Sequence, residues 1–264
     1  MLRLLDVSDF SKNLTPVTST ELFEKTGDYR EDGLFSEKIF GPIGSPDRRR
    51  IFSYIDLHIQ VIHPSVLKIL LQLERKIDKF LSTEESFILD SQGRLEENEK
   101  GVTGITEFIK LFPKIKYRGE TPSRDKLIEF IKKETKRNTI FIDKIPVIPP
   151  DLRPAIQDEG GGWMIDKLND MYIAIMRRVS QVRASGSGPL KELLSYALQN
   201  SVIDHDNYVR TKIQKKSGII RNQMLGKRVD FSGRAVVTPN PKINFGEVGV
   251  LLLHHKLMIL DVRG

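Results

Sequence analysis

Basic side chains gather in one stretch of the sequence. Between Asn207 and Arg234 stand Arg210, Lys212, Lys215, Lys216, Arg221, Lys227, Arg228 and Arg234, against one acid, Asp230. The chain carries a net +7, and this stretch accounts for all of it, because the acids and bases elsewhere cancel. Ser217, Gly218, Gly226, Ser232 and Gly233 are interspersed, so the backbone there can come close to a phosphate. Such a segment suits a polyanion, and binding through it would weaken steeply with salt. A solvated charged face is the plainer alternative. The lysines are flexible point charges suited to unspecific phosphate contact. The arginines can hold one phosphate through two parallel hydrogen bonds. Asp230 could orient one of those arginines or form a structural salt bridge.

Other chemistry is sparse. The chain has no cysteine, which excludes a disulfide framework, a thiolate zinc site, an iron–sulfur cluster and a cysteine nucleophile. The five histidines are His58, His63, His205, His254 and His255. Asp204-His205-Asp206 offers ligand types without downstream acceptors and reads as a solvated loop. His254-His255 are adjacent, and adjacent side chains seldom share a face. Gly160-Gly161-Gly162 lacks the Lys-Ser/Thr context of a phosphate-cradling loop and reads as a mobile tip before Trp163. No catalytic set is legible, and no metal or cofactor is expected on this chain.

The elements that must position these residues follow from periodicity. The first fifty residues are turn-rich. Ile51 to Val61 alternates as a strand. His63-Pro64 opens a helix whose apolar face runs through Val66, Leu70 and Ile77 to Leu81. Residues 82–101 read as an exposed acidic loop, and Thr103–Phe112 and Ser123–Lys136 as helices, the latter capped by Ser123. Thr139–Ile145 reads as a strand stopped by Pro146. Leu168, Tyr172, Ile175, Val179 and Val182 then recur at alternating spacings of four and three, a coiled-coil-like seam. Asp166 and Asp170 stand at that helix's start and Arg183 near its end. Ser185-Gly-Ser-Gly-Pro189 breaks it, and Leu190, Leu193, Leu194, Ala197 and Leu198 mark a second helix. The pair makes a helical hairpin, either core or a protruding partner-docking device, with Arg177, Arg178 and Gln181 facing outward. The longest apolar run, Val248 to Leu253, is roughly six residues against the about 20 that a bilayer span needs. No membrane partner is expected.

Five collinear strings resemble the largest (β′) subunit of multisubunit DNA-directed RNA polymerase. They are Tyr29-Arg-Glu-Asp-Gly-Leu-Phe-Ser-Glu-Lys-Ile-Phe-Gly-Pro42, Ile55-Asp-Leu-His-Ile-Gln-Val-Ile-His-Pro64, Pro146-Val-Ile-Pro-Pro-Asp-Leu-Arg-Pro154, Asp166-Lys-Leu-Asn-Asp-Met-Tyr172 and Gln223-Met-Leu-Gly-Lys-Arg-Val-Asp-Phe-Ser-Gly-Arg-Ala-Val-Val237. None of these strings falls within residues 82–138, whose role the resemblance leaves open. The resemblance implies an α+β fold: an irregular clamp and channel-base module with a helical hairpin, not an independent compact fold. It divides the chain into an N-terminal clamp region (1–150), a lid-like loop (151–163), the clamp-helix hairpin (164–206), and a rudder and switch-2-like basic segment leading to the active-centre domain (207–264).

The same resemblance implies roles. Asp151, Arg153, Gly160, Gly161, Gly162 and Trp163 would belong to a lid that parts RNA from template. Arg177, Arg178 and Gln181 would meet a promoter-specificity, sigma-like factor. The basic segment would hold DNA and RNA, with Arg221, Lys227, Arg228 and Arg234 gripping the template strand. Two departures stand out. Ile43–Phe52 bridges the place of a Cys-rich zinc module. The family's Asn-Ala-Asp-Phe-Asp-Gly-Asp loop, whose carboxylates hold catalytic magnesium, does not occur in these residues, and phosphoryl transfer needs those ligands. The expectation is therefore a noncatalytic, split-β′ piece of large-bacteriophage type. Mg2+ would sit on another chain, the partners would be the remaining β′ fragment and β-type subunits, and the location would be the (host) cytoplasm. The rival readings are a stand-alone basic DNA-binding or regulatory module derived from β′, and a purely structural subunit.

Overall fold

The computed structural model describes residues 4, 11–24, 26–42, 51–119, 121–158, 160, 162–214, 216, 218–226, 236, 238–244, 247–252 and 256–261. In chain order the elements are α1 (Glu37–Phe40), β1 (Ser53–Ile62), α2 (Pro64–Leu73), α3 (Lys76–Leu81), β2 (Phe87–Leu89), β3 (Leu95–Glu97), α4 (Ile105–Leu111), α5 (Pro122–Lys136), β4 (Phe141–Val147), β5 (Ala155–Gln157), β6 (Trp163–Ile165), α6 (Lys167–Ala184), α7 (Pro189–Ile213), β7 (Glu247–Leu252) and β8 (Lys256–Asp261). The fold is mixed α+β. Its strands pair as antiparallel two-stranded ribbons, β1 with β4, β2 with β3, β5 with β6 and β7 with β8. Two compact units result, Met1–Ile219 and Ile220–Gly264.

The first unit holds two apolar clusters. One gathers Leu34, Phe35, Ile55, Leu57 and Val147 against the α6 seam. Leu168, Tyr172, Ile175, Val179 and Val182 are all buried there, as their spacing requires. The other gathers Val66, Leu70, Ile77, Phe80, Phe87, Phe108 and Ile131. Gln199 of α7 joins them. Its side-chain oxygen accepts from the Ile62 N–H at 2.7 Å and its amide donates to the Ile62 carbonyl at 2.9 Å, both buried. The end of β1 is thereby tied to a helix 137 residues away.

Several elements differ from their sequence reading. The alternation of β1 breaks at a bulge between Asp56 and Val61. There His58 adopts φ 57°, and its N–H donates to the Asp56 carboxylate at 2.8 Å. The bulge moves Ile62 into the core beside Val61. The long helix from Pro64 splits after Leu73, because Glu74 is extended, while Arg124 of α5 donates to the Leu73 carbonyl at 2.8 Å. His63 caps the first half by accepting from the Ser65 N–H. Residues 82–101 are no loop but carry the β2–β3 hairpin, whose Phe87 is fully buried and stacks on Phe80 at 5.5 Å. Thr121, not Ser123, caps α5, since Pro122 takes the first helical position. The strand β4 passes through Pro146, which a ribbon with a free edge tolerates. Leu190 and Leu193 lie outward, 59% and 51% exposed, and the buried face of α7 is instead Ser195, Leu198, Gln199, Val202 and His205. The expected boundary at 206/207 falls inside α7, which runs on to Ile213.

Candidate nucleic-acid interface

Arg153 is fully buried, so it cannot be a surface contact of the lid-like loop. Its Nε donates to the Ile148 carbonyl at 2.8 Å, Nη1 to Asn169 Oδ1 at 2.7 Å, and Nη2 to the Leu34 carbonyl at 2.6 Å. The guanidinium lies over the rings of Phe40, Phe35 and Tyr172 at 5.1–5.7 Å. Asn169 returns a hydrogen bond to the Arg153 carbonyl. Burial lowers the Arg153 pKa to about 10, which leaves it charged at neutral pH, and aromatic faces and carbonyls replace its lost hydration. Three segments, residues 34–40, residues 148–153 and α6, thus meet at one cation, and the short helical turn Pro150–Leu152 is held against α6.

From that root rises the β5–β6 hairpin, with Ala155 opposite Ile165, Ile156 opposite Met164 and Gln157 opposite Trp163. The Asp158 N–H closes the tip on the Gly162 carbonyl at 2.7 Å. Gly160 and Gly162 have open space where a side chain would stand, and Gly161 lies outside the described residues. Trp163 is 40% exposed and stacks on Phe23 at 4.4 Å. Its ring anchors the returning strand on the N-terminal segment. On the other face Ile156 and Met164 form an exposed apolar pair, 60% and 69% open. Asp151 is exposed at the foot of the hairpin.

On α6 the seam faces inward and Arg177 and Gln181 are exposed, with Arg178 half-buried beside them. Neither arginine makes an ion pair among the described residues. Asp166 caps α6 by accepting from the Leu168 N–H.

The basic segment is less free than its composition implies. Arg210 Nε donates to Asp206 at 2.7 Å and its Nη2 to Ser65 Oγ at 2.7 Å. Lys212 reaches Asp166 at 3.2 Å. Hydrogen bonds to Tyr208 and Asp166 raise the Lys212 pKa. Lys167 and Lys212 both lie over the Tyr208 ring, at 5.5 and 5.3 Å. Acids distant in sequence or one helical turn back therefore offset two of the eight cations. Lys216 is exposed, and Arg221 is exposed on the turn Ile220–Met224 of the second unit. Lys215, Lys227, Arg228, Asp230 and Arg234 lie outside the described residues, as do His254 and His255. Lys167, and Lys68 bonded to Asn207 at 2.7 Å, join this region by folding alone. Nothing but the proximity of Lys167 to Asp166 hints at either.

Asp204-His205-Asp206 is not a loop but part of α7. His205 is buried against Tyr172, ring centroids 4.8 Å apart, and burial lowers its pKa to about 4. Among the described residues no three His, Asp or Glu side chains are placed to hold a metal ion.

No protein-family model matches the chain. Among curated proteins it is similar to DNA-directed RNA polymerase subunit beta′ of Levilactobacillus brevis, at 31% identity over 58% of the chain and 14% of that protein. It is similar to the same subunit of a Polaromonas species, at 34% over 53% of the chain and 11% of that protein. It is also similar to that of Nitrosococcus oceani, at 25% over 83% of the chain and 22% of that protein. The chain spans only 9 to 22% of the length of the curated relatives it matches. It is related in sequence to the β′ subunits of DNA-directed RNA polymerases, the relationship that its five collinear strings imply.

Proposed function

We propose that these residues form a clamp and template-channel part of a β′-type subunit in a multisubunit DNA-directed RNA polymerase. The observation that carries this reading is the similarity to β′ subunits. In it, α6 and α7 are the helices on which a sigma-like factor docks, through Arg177, Arg178 and Gln181. The β5–β6 hairpin is the lid, and the basic segment guides template and transcript. In this reading Ile43–Phe52 stands in the place of the family's zinc module. The 264 residues hold no aspartate loop, so magnesium and the chemistry of nucleotide addition belong to other residues of the assembled enzyme, here proposed to lie on a second β′ chain, as in a split, bacteriophage-type polymerase working in the cytoplasm of its host. The test is reconstitution with β-type subunits, a chain bearing the aspartate loop and a specificity factor. Replacing Arg177 and Arg178 by Glu should weaken factor-dependent initiation and leave elongation on a preformed scaffold intact. Equal loss of both would make the hairpin merely structural. The concentrated basic charge also favours a second reading, a self-standing DNA-binding module. Failure to co-assemble with an aspartate-bearing chain, together with DNA binding by the isolated protein, would select it.

A further inference from the structure

Residues 82–138 contain a cleft of about 680 Å³. One wall is Phe112, Ile115 and Tyr117, on the segment that follows α4. The other is Ile128 and Ile131, on α5. Positions 128, 131, 132 and 135 are neighbours on one helical face, so the cleft runs along α5.

Three lysines rim this trough: Lys132 and Lys136 on α5, and Lys116 on the opposite wall. All are exposed, none forms an ion pair among the described residues, and no carboxylate lines the cleft. Their neighbours differ: Lys133 is held by Glu129 at 2.7 Å and Lys110 by Glu107 at 2.7 Å. Lys132 and Lys136 complement the negative end of the α5 dipole, which accounts for their sign but not for the apolar trough beside them. The volume would seat a few apolar side chains. The cations stand one helical turn apart and on both walls, so they do not converge on a single headgroup.

We propose that this cleft docks a short acidic segment of another polypeptide, its apolar side chains in the trough and its carboxylates against Lys116, Lys132 and Lys136. The proposal does not depend on the polymerase reading, so its failure leaves that reading untouched. The probe is a fluorescein-labelled peptide repeating Asp-Leu-Asp-Phe, titrated by anisotropy with the full chain. Its competitors are poly-aspartate, dodecanoate and a single-stranded oligonucleotide. The peptide should bind, and the same repeat with Lys in place of Asp should not. The exposed pair Lys132→Glu and Lys136→Glu should weaken binding about tenfold, and Ile128→Asp should abolish it by charging the trough. If Ile128→Asp fails to fold, the lysine pair alone decides. Absence of peptide binding, or an unaltered affinity in the lysine variant, overturns the proposal. So does displacement of the peptide by poly-aspartate or oligonucleotide at equal charge, which would mark a general anion surface, or by dodecanoate, which would mark an amphiphile site.

Discussion

Arg153 is the side chain on which most of the candidate site rests. It is bound to three acceptors and sandwiched between rings. Arg153→Ala should cost about 3 kcal/mol, since the buried acceptors lose a charged donor. Arg153→Lys should not restore it, because one ammonium cannot span the acceptor set. Urea unfolding checks both, and a fully stable lysine variant would contradict the planar fork's role. His205 predicts a pH effect. Its folded pKa is about 4, below the ordinary 6.5, because burial disfavours the imidazolium. The unfolded chain therefore takes up a proton between those values that the folded chain refuses. Stability should fall as pH drops from 6.5 toward 4, by about 3 kcal/mol from this group. His63, also lowered by burial, acts in the same direction. His205→Phe keeps a ring against Tyr172 and should flatten the profile while leaving the His63 share. An unaltered slope would show that His205 is not buried neutral.

At the scale of elements, the β5–β6 hairpin is rigid at its root and open at its tip. Trp163 is the only tryptophan in the chain, so its emission reports directly on the stack with Phe23. Phe23→Ala should shift that emission to the red and cost about 1 kcal/mol, with far-ultraviolet dichroism unchanged. An unshifted spectrum would mean that the stack does not persist in solution. In the reconstituted polymerase, deletion of 157–161 should lengthen the RNA–DNA hybrid, and an unchanged hybrid would reject the lid assignment. The α6–α7 hairpin is constrained differently. Its seam is buried along α6, α7 is bound to Ile62 through Gln199, and Glu192 near the start of α7 accepts from the Thr106 N–H at 3.1 Å. A factor docking on it would meet a braced surface, with Arg177 and Gln181 on the open side.

For the molecule as a whole, charge and the missing carboxylates set the expectations. Lys212 is already paired with Asp166, while Lys216 is exposed and makes no ion pair among the described residues. In nucleic-acid binding, Lys216→Ala should therefore lower the salt slope by about one unit, and Lys212→Ala by less. Equal changes would show that the Asp166 pair opens on binding. Arg228→Ala or Arg234→Ala in the assembled enzyme should slow elongation on a saturated scaffold if those residues position the template. The chain alone should make no RNA, since it lacks the carboxylates that hold two-metal chemistry. Template-dependent synthesis by the purified chain would refute the proposal that it is a noncatalytic part.

Local pattern alone determined the α6 seam, the start of α2 at His63-Pro64, most of β1 and the concentration of charge near the C-terminus. Each depends on residues within a few turns of one another, and the apolar period that marks a helix face survives folding because that face must be buried. The five β′-like strings were likewise legible, because identity and order need no coordinates. What only the tertiary structure decided depends on residues far apart in the chain. The sequence shows Arg153 beside lid-like residues, but two acceptors, Leu34 and Asn169, and three rings from other segments turn it inward. It shows eight cations against one acid, but Asp166 arrives from the start of another helix to hold Lys212. It shows an acidic stretch at 82–101, but Phe80 and its cluster draw Phe87 into a hairpin. In each case a long-range partner supplies desolvation or charge that no local window contains, and that partner fixes whether the side chain faces water or the core.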